Sequence, residues 1–113
     1  MYEVVDKPWG RYVVLYSDKT MWLKRLIINS GQALSLQSHQ QRTEFWVTED
    51  QGVSYQIDGM EGQMLPGKIY EVLPGDKHRL WNTCADPVVV IEWVSGAPDE
   101  QDIIRYDDNY GRT

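Results

Sequence analysis

Few residues in this chain are equipped for chemistry beyond hydrogen bonding. Among 113 residues there are two histidines and one cysteine. That count excludes an internal disulfide. It also excludes a zinc site of four thiolates, or of two thiolates and two imidazoles, within one chain. A metal centre here must combine imidazole with carboxylate, amide or water. The segment Leu34-Ser35-Leu36-Gln37-Ser38-His39, followed by Gln40-Gln41-Arg42-Thr43-Glu44, has the residue types for one. Alternate side chains of a strand share a face, so Gln37 and His39 are expected to point together with Ser35 beside them, and Leu34 and Leu36 to the opposite face. A short turn after His39 places Glu44 on the next strand. The second histidine, His78, opens another strand behind the turn Pro74-Gly75-Asp76-Lys77. A curled sheet brings Gln37, His39, Glu44 and His78 to one point. Two imidazoles with an amide and a carboxylate oxygen suit Zn²⁺, Mn²⁺, Fe²⁺, Co²⁺ or Ni²⁺, with water or substrate completing the shell.

The elements that must position these groups are short. Turn signals recur along the whole chain, among them Pro8-Trp9-Gly10, Asn29-Ser30-Gly31, Asp50-Gln51-Gly52, Asp58-Gly59, Pro66-Gly67 and Asp86-Pro87. Between them lie runs rich in β-branched and aromatic residues, at 11–16, 21–28, 34–38, 44–47, 53–57, 69–73, 79–81 and 88–94. Such spacing predicts an antiparallel sandwich or barrel rather than alternating strands and helices. A helical turn is expected only over residues 99–105, which follow Pro98 and start acidic. No repeat or linker divides the chain, so residues 1–113 are read as one all-β domain.

Composition narrows the function classes. Acidic residues number 17 and basic residues 11, a net charge of −6, which is ill suited to a nucleic-acid backbone. The start, Met1-Tyr2-Glu3-Val4-Val5-Asp6, lacks the basic and apolar regions of a signal peptide. The longest aliphatic run, 88–91, is far short of the roughly 20 residues that span a bilayer. A lone thiol, Cys84, fits a reducing cytoplasm and reads as inert.

The spacing resembles the two signature motifs of the cupin superfamily, a double-stranded β-helix. The first, G-x5-H-x-H-x4-E, is matched by Gly31, Gln37, His39 and Glu44, with Gln in place of the first His. The second, G-x5-P-x-G-x2-H-x3-N, is matched by Gly67, Gly75, His78 and Asn82, with Leu73 at the Pro step. The Gln substitution is similar to the Gln/His/Glu/His ligand set of phosphomannose isomerases. Further blocks resemble the type II mannose-6-phosphate isomerase domain: Lys7-Pro8-Trp9-Gly10, Arg42-x-Glu44-x-Trp46, His78-Arg79-Leu80, and Asp102-Ile103-Ile104-Arg105 through Asp108-x-Tyr110-Gly111-Arg112. In that family the domain commonly ends a bifunctional mannose-1-phosphate guanylyltransferase. The resemblance therefore implies an isomerase module standing alone. Departures fall at Gln40-Gln41, at Phe45 and at Ile91-Glu92-Trp93-Val94.

The resemblance implies metal-dependent interconversion of mannose 6-phosphate and fructose 6-phosphate through an enediol. It gives Arg79 the role of stabilising the enediolate, and Lys24 or Glu44 that of the base. Arg42, Arg105 and Arg112, with Lys24, form the pool of phosphate donors. Trp46 is placed to stack on a sugar, while Trp9, Trp22, Trp81 and Trp93 are read as packing. A homodimer and a separate guanylyltransferase are the expected partners. Two alternatives remain at this point: a non-catalytic cupin that binds a sugar phosphate or nucleotide sugar, and an Fe²⁺ dioxygenase.

Overall fold

The structure is a computed structural model that describes residues 2–113. Among them are eleven strands and no helix: β1 (Glu3–Lys7), β2 (Gly10–Ser17), β3 (Met21–Ile28), β4 (Leu36–Ser38), β5 (Arg42–Val47), β6 (Val53–Ile57), β7 (Met60–Gln63), β8 (Tyr70–Val72), β9 (His78–Asn82), β10 (Val88–Gly96) and β11 (Ile104–Asp107). They form two antiparallel sheets, ordered β1-β2-β3-β10-β5-β8 and β11-β4-β9-β6-β7. No helix is long and apolar enough to cross a membrane.

Local chemistry explains the corners. Asp58 and Gly59 both adopt positive φ, 49° and 83°, as a two-residue hairpin between β6 and β7 requires. Gly10 opens β2 where a Cβ would collide with the Ile27 carbonyl oxygen, so only glycine lets β2 pair this closely with β3. Asn82 ties three segments together. Its amide donates to the Ile28 and Asp86 carbonyls at 2.9 and 2.8 Å and accepts from the Cys84 N–H at 2.7 Å.

The inward rows of the central strands change character along their length. Leu26 and Ile28 of β3, Trp46 of β5, Leu80 of β9 and Val88 and Val90 of β10 fill the apolar part of the interior. The same rows continue as Lys24, Glu44, His78 and Glu92, all buried. One half of the interior is thus a hydrophobic core and the other half is a buried polar chamber. The core must hold the strands together around the chamber, because burying charged groups is costly by itself.

Residues 99–105 do not form a helical turn. The Asp99 carboxylate accepts the Gln101 N–H at 2.9 Å and the Asp99 carbonyl accepts the Asp102 N–H at 3.0 Å. The turn ends there, and the chain extends into β11 because pairing with β4 is available. Three strands escaped the sequence pattern: β1, β7 and β11. All lie at sheet edges, where one side of the strand faces solvent and alternation is weak. Leu80, fully buried between the layers, tests the core. Leu80→Ala is expected to cost about 3 kcal/mol in chemical denaturation, the usual penalty for a cavity of this kind.

Candidate metal centre

The loop from β4 into β5 is pinned by Asp102. Its carboxylate accepts the N–H groups of Gln40 and Gln41 at 3.0 and 2.9 Å, and its carbonyl accepts Nδ1–H of His39 at 2.6 Å. His78 follows a tight turn in which Gly75 (φ 87°) donates to the His39 carbonyl at 2.7 Å. Nδ1–H of His78 donates to the Asp76 carbonyl at 2.9 Å. Each backbone carbonyl sets its ring's tautomer, leaving the Nε2 lone pair free to face inward.

These lone pairs meet Glu44. His39 Nε2 lies 3.2 Å from Glu44 Oε2, and His78 Nε2 lies 3.5 Å from Glu44 Oε1. Ligand atoms of the three residues fall within 4.8 Å of one another. The side chains of His39, Glu44 and His78 are only 3, 1 and 2 per cent exposed. Glu44 Oε1 and His78 Nε2 have no hydrogen-bond partner. Two buried ligand atoms turned toward each other without a hydrogen bond are unfavourable unless a cation, either a proton or a metal ion, lies between them. The donor set of two imidazoles and a carboxylate therefore fits a divalent metal ion.

Arg42 is the cation the chain itself brings. Its Nη2 donates to His39 Nε2 at 2.8 Å and its Nε donates to Glu44 Oε2 at 3.0 Å, with Nη2 2.9 Å from the same oxygen in an ion pair. Burial, opposed by Glu44 and reinforced by Arg42, pushes His39 down to about 4, so its imidazole is neutral at physiological pH. Burial works against ionisation of Glu44, but His78, Arg42 and His39 outweigh it and hold the carboxyl below its ordinary range.

A cavity of about 90 Å³ adjoins the cluster. His39 and Arg42 contribute to its wall, while Glu44 and His78 lie behind. Gln37 is on the wall as well. Its Oε1 accepts from Ser35 Oγ at 3.1 Å, and it stands opposite His78 in the β4–β9 register. Leu34 shares this wall instead of facing away. Regular β4 pairing starts only at Leu36, and Leu34 is turned by its own bond from N–H to the Leu80 carbonyl at 2.9 Å. Lys7, Lys24, Arg42, Arg105 and Arg112 also line the cavity, against Glu92 and Glu100. Five of the chain's 11 basic residues and two of its 17 acidic ones face one small space. The potential there is positive although the chain is acidic overall.

Two residues singled out in the sequence are placed elsewhere. Arg79 does not reach the cavity. Neighbours on a strand project to opposite faces, so His78 inside sends Arg79 outside, where its Nε donates to the Leu34 carbonyl at 2.8 Å and its Nη1 pairs with Asp107 at 3.2 Å. It staples β9 to β11 and has no contact with the cluster. Trp46 is 1 per cent exposed and is not on the cavity wall. It lies edge-on to His78 at 5.6 Å and donates its Nε1–H to Glu92 Oε2 at 3.2 Å. Lys24 is on the wall with the contacts of an ammonium ion, 3.0 Å from Glu100 Oε1 and 4.2 Å above both the Tyr12 and Trp22 rings.

Glu92 is the buried acid on the cavity wall that the sequence reading passed over. It pairs across strands with both Lys24 and Trp46. Burial, and then the charge of Glu44, push it up to about 8. It is a carboxylic acid that keeps its proton at neutral pH, on the wall of the cavity. The available signal was an acid at an inward step of the row Val88, Val90, Val94.

The fold is the double-stranded β-helix of cupin domains. A double-stranded β-helix domain from Klebsiella pneumoniae superposes with a TM-score of 0.73 at 15% identity, covering 94% of this chain and 86% of that one. The cupin domain of Schizosaccharomyces pombe Cnp3 superposes at 0.70 and 8% identity, covering 76% of this chain and 64% of that one. Residues 1–108 match the family model described as mannose-6-phosphate isomerase C-terminal, and the chain belongs to that family. Its relatives include the xanthan biosynthesis protein XanB of Xanthomonas campestris, 36% identical over 111 residues, and the mannose-1-phosphate guanylyltransferase ManC of Salmonella typhimurium, 31% identical over 113. These alignments cover 96% and 99% of this chain. The chain spans 24% of the length of each relative.

Two outcomes follow from this electrostatic arrangement. A guanidinium bonded to the ligand atoms opposes a second cation in the same place. Arg42→Met is therefore expected to tighten Zn²⁺ or Mn²⁺ binding about tenfold, equivalent to ~1.4 kcal/mol, in titration calorimetry. The unfolded chain ionises Glu92 at its ordinary value of 4.5, whereas the folded chain keeps the proton to about 8. Glu92 therefore removes stability as pH rises through that window. His39 acts in the other direction, removing stability as pH falls from 6.5 toward about 4. Glu92→Gln is expected to raise the Tm of the metal-free protein by several degrees at pH 8, with the gain vanishing toward pH 4.5.

Proposed function

We propose that this domain is a metal-dependent aldose–ketose isomerase that interconverts mannose 6-phosphate and fructose 6-phosphate. The observation that carries the reading is a cavity with a cationic wall that adjoins a buried His–Glu–His cluster through His39. The cluster calls for a divalent metal ion, and the wall calls for an anionic substrate. The family match and the relatives from polysaccharide assembly support the same sugar class.

The conversion is redox-neutral overall. A proton leaves C2 of the aldose and one arrives at C1, while the hydroxyl and carbonyl oxygens exchange roles. A metal ion held by His39, Glu44 and His78, with Gln37 completing the set, would polarise the sugar oxygens as a Lewis acid. Lys24 supplies fixed positive charge on the wall where oxygen charge develops. Glu92 supplies a proton at neutral pH and can take one back, and its value of about 8 lies close to the working range for acid–base catalysis. Trp46 fixes the Glu92 carboxyl by its 3.2 Å hydrogen bond. Asp102 fixes the His39 ring.

A second reading, a sugar-phosphate binding module without turnover, is favoured by one contact set. Arg42 already satisfies His39 Nε2 and Glu44 Oε2 from within the chain. An isomerase assay separates the two. Metal-reconstituted protein is expected to interconvert the hexose phosphates without oxygen uptake. His78→Ala is expected to lose metal binding and activity together. Glu92→Gln is expected to retain metal binding and lose at least a hundredfold in kcat. Absence of turnover with every divalent ion, alongside calorimetric binding of the sugar phosphate, would establish the binding module instead.

A further inference from the structure

The two imidazoles of the cluster are supported from very different distances. Nδ1–H of His78 donates to the carbonyl of Asp76, two residues away in the same turn. Nδ1–H of His39 donates to the carbonyl of Asp102, 63 residues away. His78 thus carries its own support, whereas His39 borrows its support from the last segment of the chain.

That segment is held on weakly. Among the described residues, none from 97 to 113 is buried, and only Tyr110 of this segment packs against the hydrophobic core. Its regular pairing is β11 against β4, with the register broken between Arg105 and Asp107. The other ties are polar. Tyr106 Oη lies 2.8 Å from Ser38 Oγ, Arg79 Nη2 donates to the Asp107 carbonyl at 3.1 Å, and Tyr110 Oη donates to Gln32 Oε1 at 2.6 Å. Such contacts compete with water and each contributes little net stability. A segment with so little buried apolar area opens more readily than the sheets beneath it. Yet this segment closes the site. Glu100, Ile103, Arg105 and Arg112 stand on the cavity wall, and Glu100 is latched to Lys24 at 3.0 Å. Arg112 is held within the segment by Asp108, through bonds of 2.8 and 2.9 Å.

Asp102 joins the segment to the metal cluster. Its carboxylate grips the N–H groups of Gln40 and Gln41 in the loop that carries His39, and its carbonyl sets the ring. With the segment docked, the tautomer is fixed and the Nε2 lone pair faces Glu44. With the segment lifted, Nδ1–H loses its acceptor and the loop loses two anchors. A cation at Nε2 draws charge from the ring and makes Nδ1–H a stronger donor to the Asp102 carbonyl. Docking and cation binding therefore favour each other by one factor, read in either direction.

We propose that residues 97–113 are a strap whose docking completes the metal centre, with Asp102 as the positioning residue for His39, so that a divalent ion closes the strap over the cavity. The inference rests on His39, Glu44 and His78 being metal ligands, and not on turnover. It gives the cavity an ordered sequence: the site is open to the medium until the metal arrives, and is walled by Glu100, Ile103, Arg105 and Arg112 afterwards.

The test is hydrogen exchange on the full chain, read by mass spectrometry with and without saturating Zn²⁺, beside calorimetry of Zn²⁺ binding. Zn²⁺ is expected to slow exchange over β11 by about tenfold or more. Strand β7, at the opposite edge of the same sheet, is expected to change by less than about twofold. Tyr106→Phe removes the bond to Ser38 and touches no metal ligand, so it is expected to speed exchange over β11 and to leave the slowing by Zn²⁺ intact. Asp102→Ala is expected to cut that slowing to about threefold or less and to weaken Zn²⁺ binding about tenfold. Asp102→Asn keeps one carbonyl oxygen for the loop and is expected to recover part of both. Glu61→Ala, on exposed β7, controls for the loss of one acidic charge and is expected to change neither. Unchanged protection of β3 and β10 shows that the variants fold, and the unaltered chain tests the coupling without them. Exchange over β11 that Zn²⁺ leaves unchanged, slowing shared equally by β7, or full slowing retained in Asp102→Ala would overturn the strap. Zn²⁺ binding with an unresponsive strap sinks only this inference, whereas a chain that binds no divalent ion sinks the metal centre as well.

Discussion

The site in this domain is arranged around two buried ligand atoms that no hydrogen bond satisfies. Glu44 Oε1 and His78 Nε2 lie 3.5 Å apart, both buried and neither hydrogen-bonded. In a low-dielectric interior that contact is unfavourable unless a cation lies in it, and the surrounding groups keep it from relaxing. Backbone carbonyls of Asp102 and Asp76 hold the two imidazole tautomers. His78 and Arg42 together hold the carboxyl below its ordinary range. The apolar half of the interior supplies the stability against which this half is assembled. A site built this way is prepared for a cation before one arrives, which is what pre-organisation of a metal centre requires.

The same economy of charge shapes the cavity. The chain carries net negative charge, yet its inner wall gathers five cations. Three are balanced by acids and serve to position groups. The remaining two are left unbalanced on opposite sheets. Segregating charge in this manner keeps the exterior acidic while the interior attracts an anion, and concave, low-dielectric walls strengthen the attraction. Glu92 belongs to this balance as well. It stays protonated because it is buried and because Glu44 already holds the local negative charge, so one carboxyl is ionised while its neighbour carries a proton. Two like groups given different environments take different roles.

Much of the fold was legible in the residues because burial on one face imposes alternation. The runs at 21–28 and 53–57 coincide with β3 and β6, and the turns between strands fall at glycine, proline and aspartate. Edge strands were not legible: β1, β7 and β11 bury one side at most, so their sequences carry little alternation. For the site, His39, Glu44 and His78 were legible as a set. Arg79 was misplaced because adjacency in sequence means opposite faces in a strand. Trp46 shares the inward face of Glu44, as its spacing implied, but that face is the core at this depth. Sequence period gives the side of a sheet and not the depth along it.

What the sequence determined by itself is the class of chemistry. Two histidines and one cysteine, at those spacings, admit a mixed-ligand metal site and exclude the thiolate kinds. What only the tertiary structure decided is the division of labour among like residues. Which of the arginines is spent on structure, which carboxyl keeps its proton and which cation is left over all depend on through-space neighbours. Arg105 and Arg112 are indistinguishable as letters. Arg112 meets Asp108, four residues earlier in the chain, while Arg105 keeps a buried Nε without an acceptor on the cavity wall. Electrostatic energy depends on distance and burial, and neither is written along the chain.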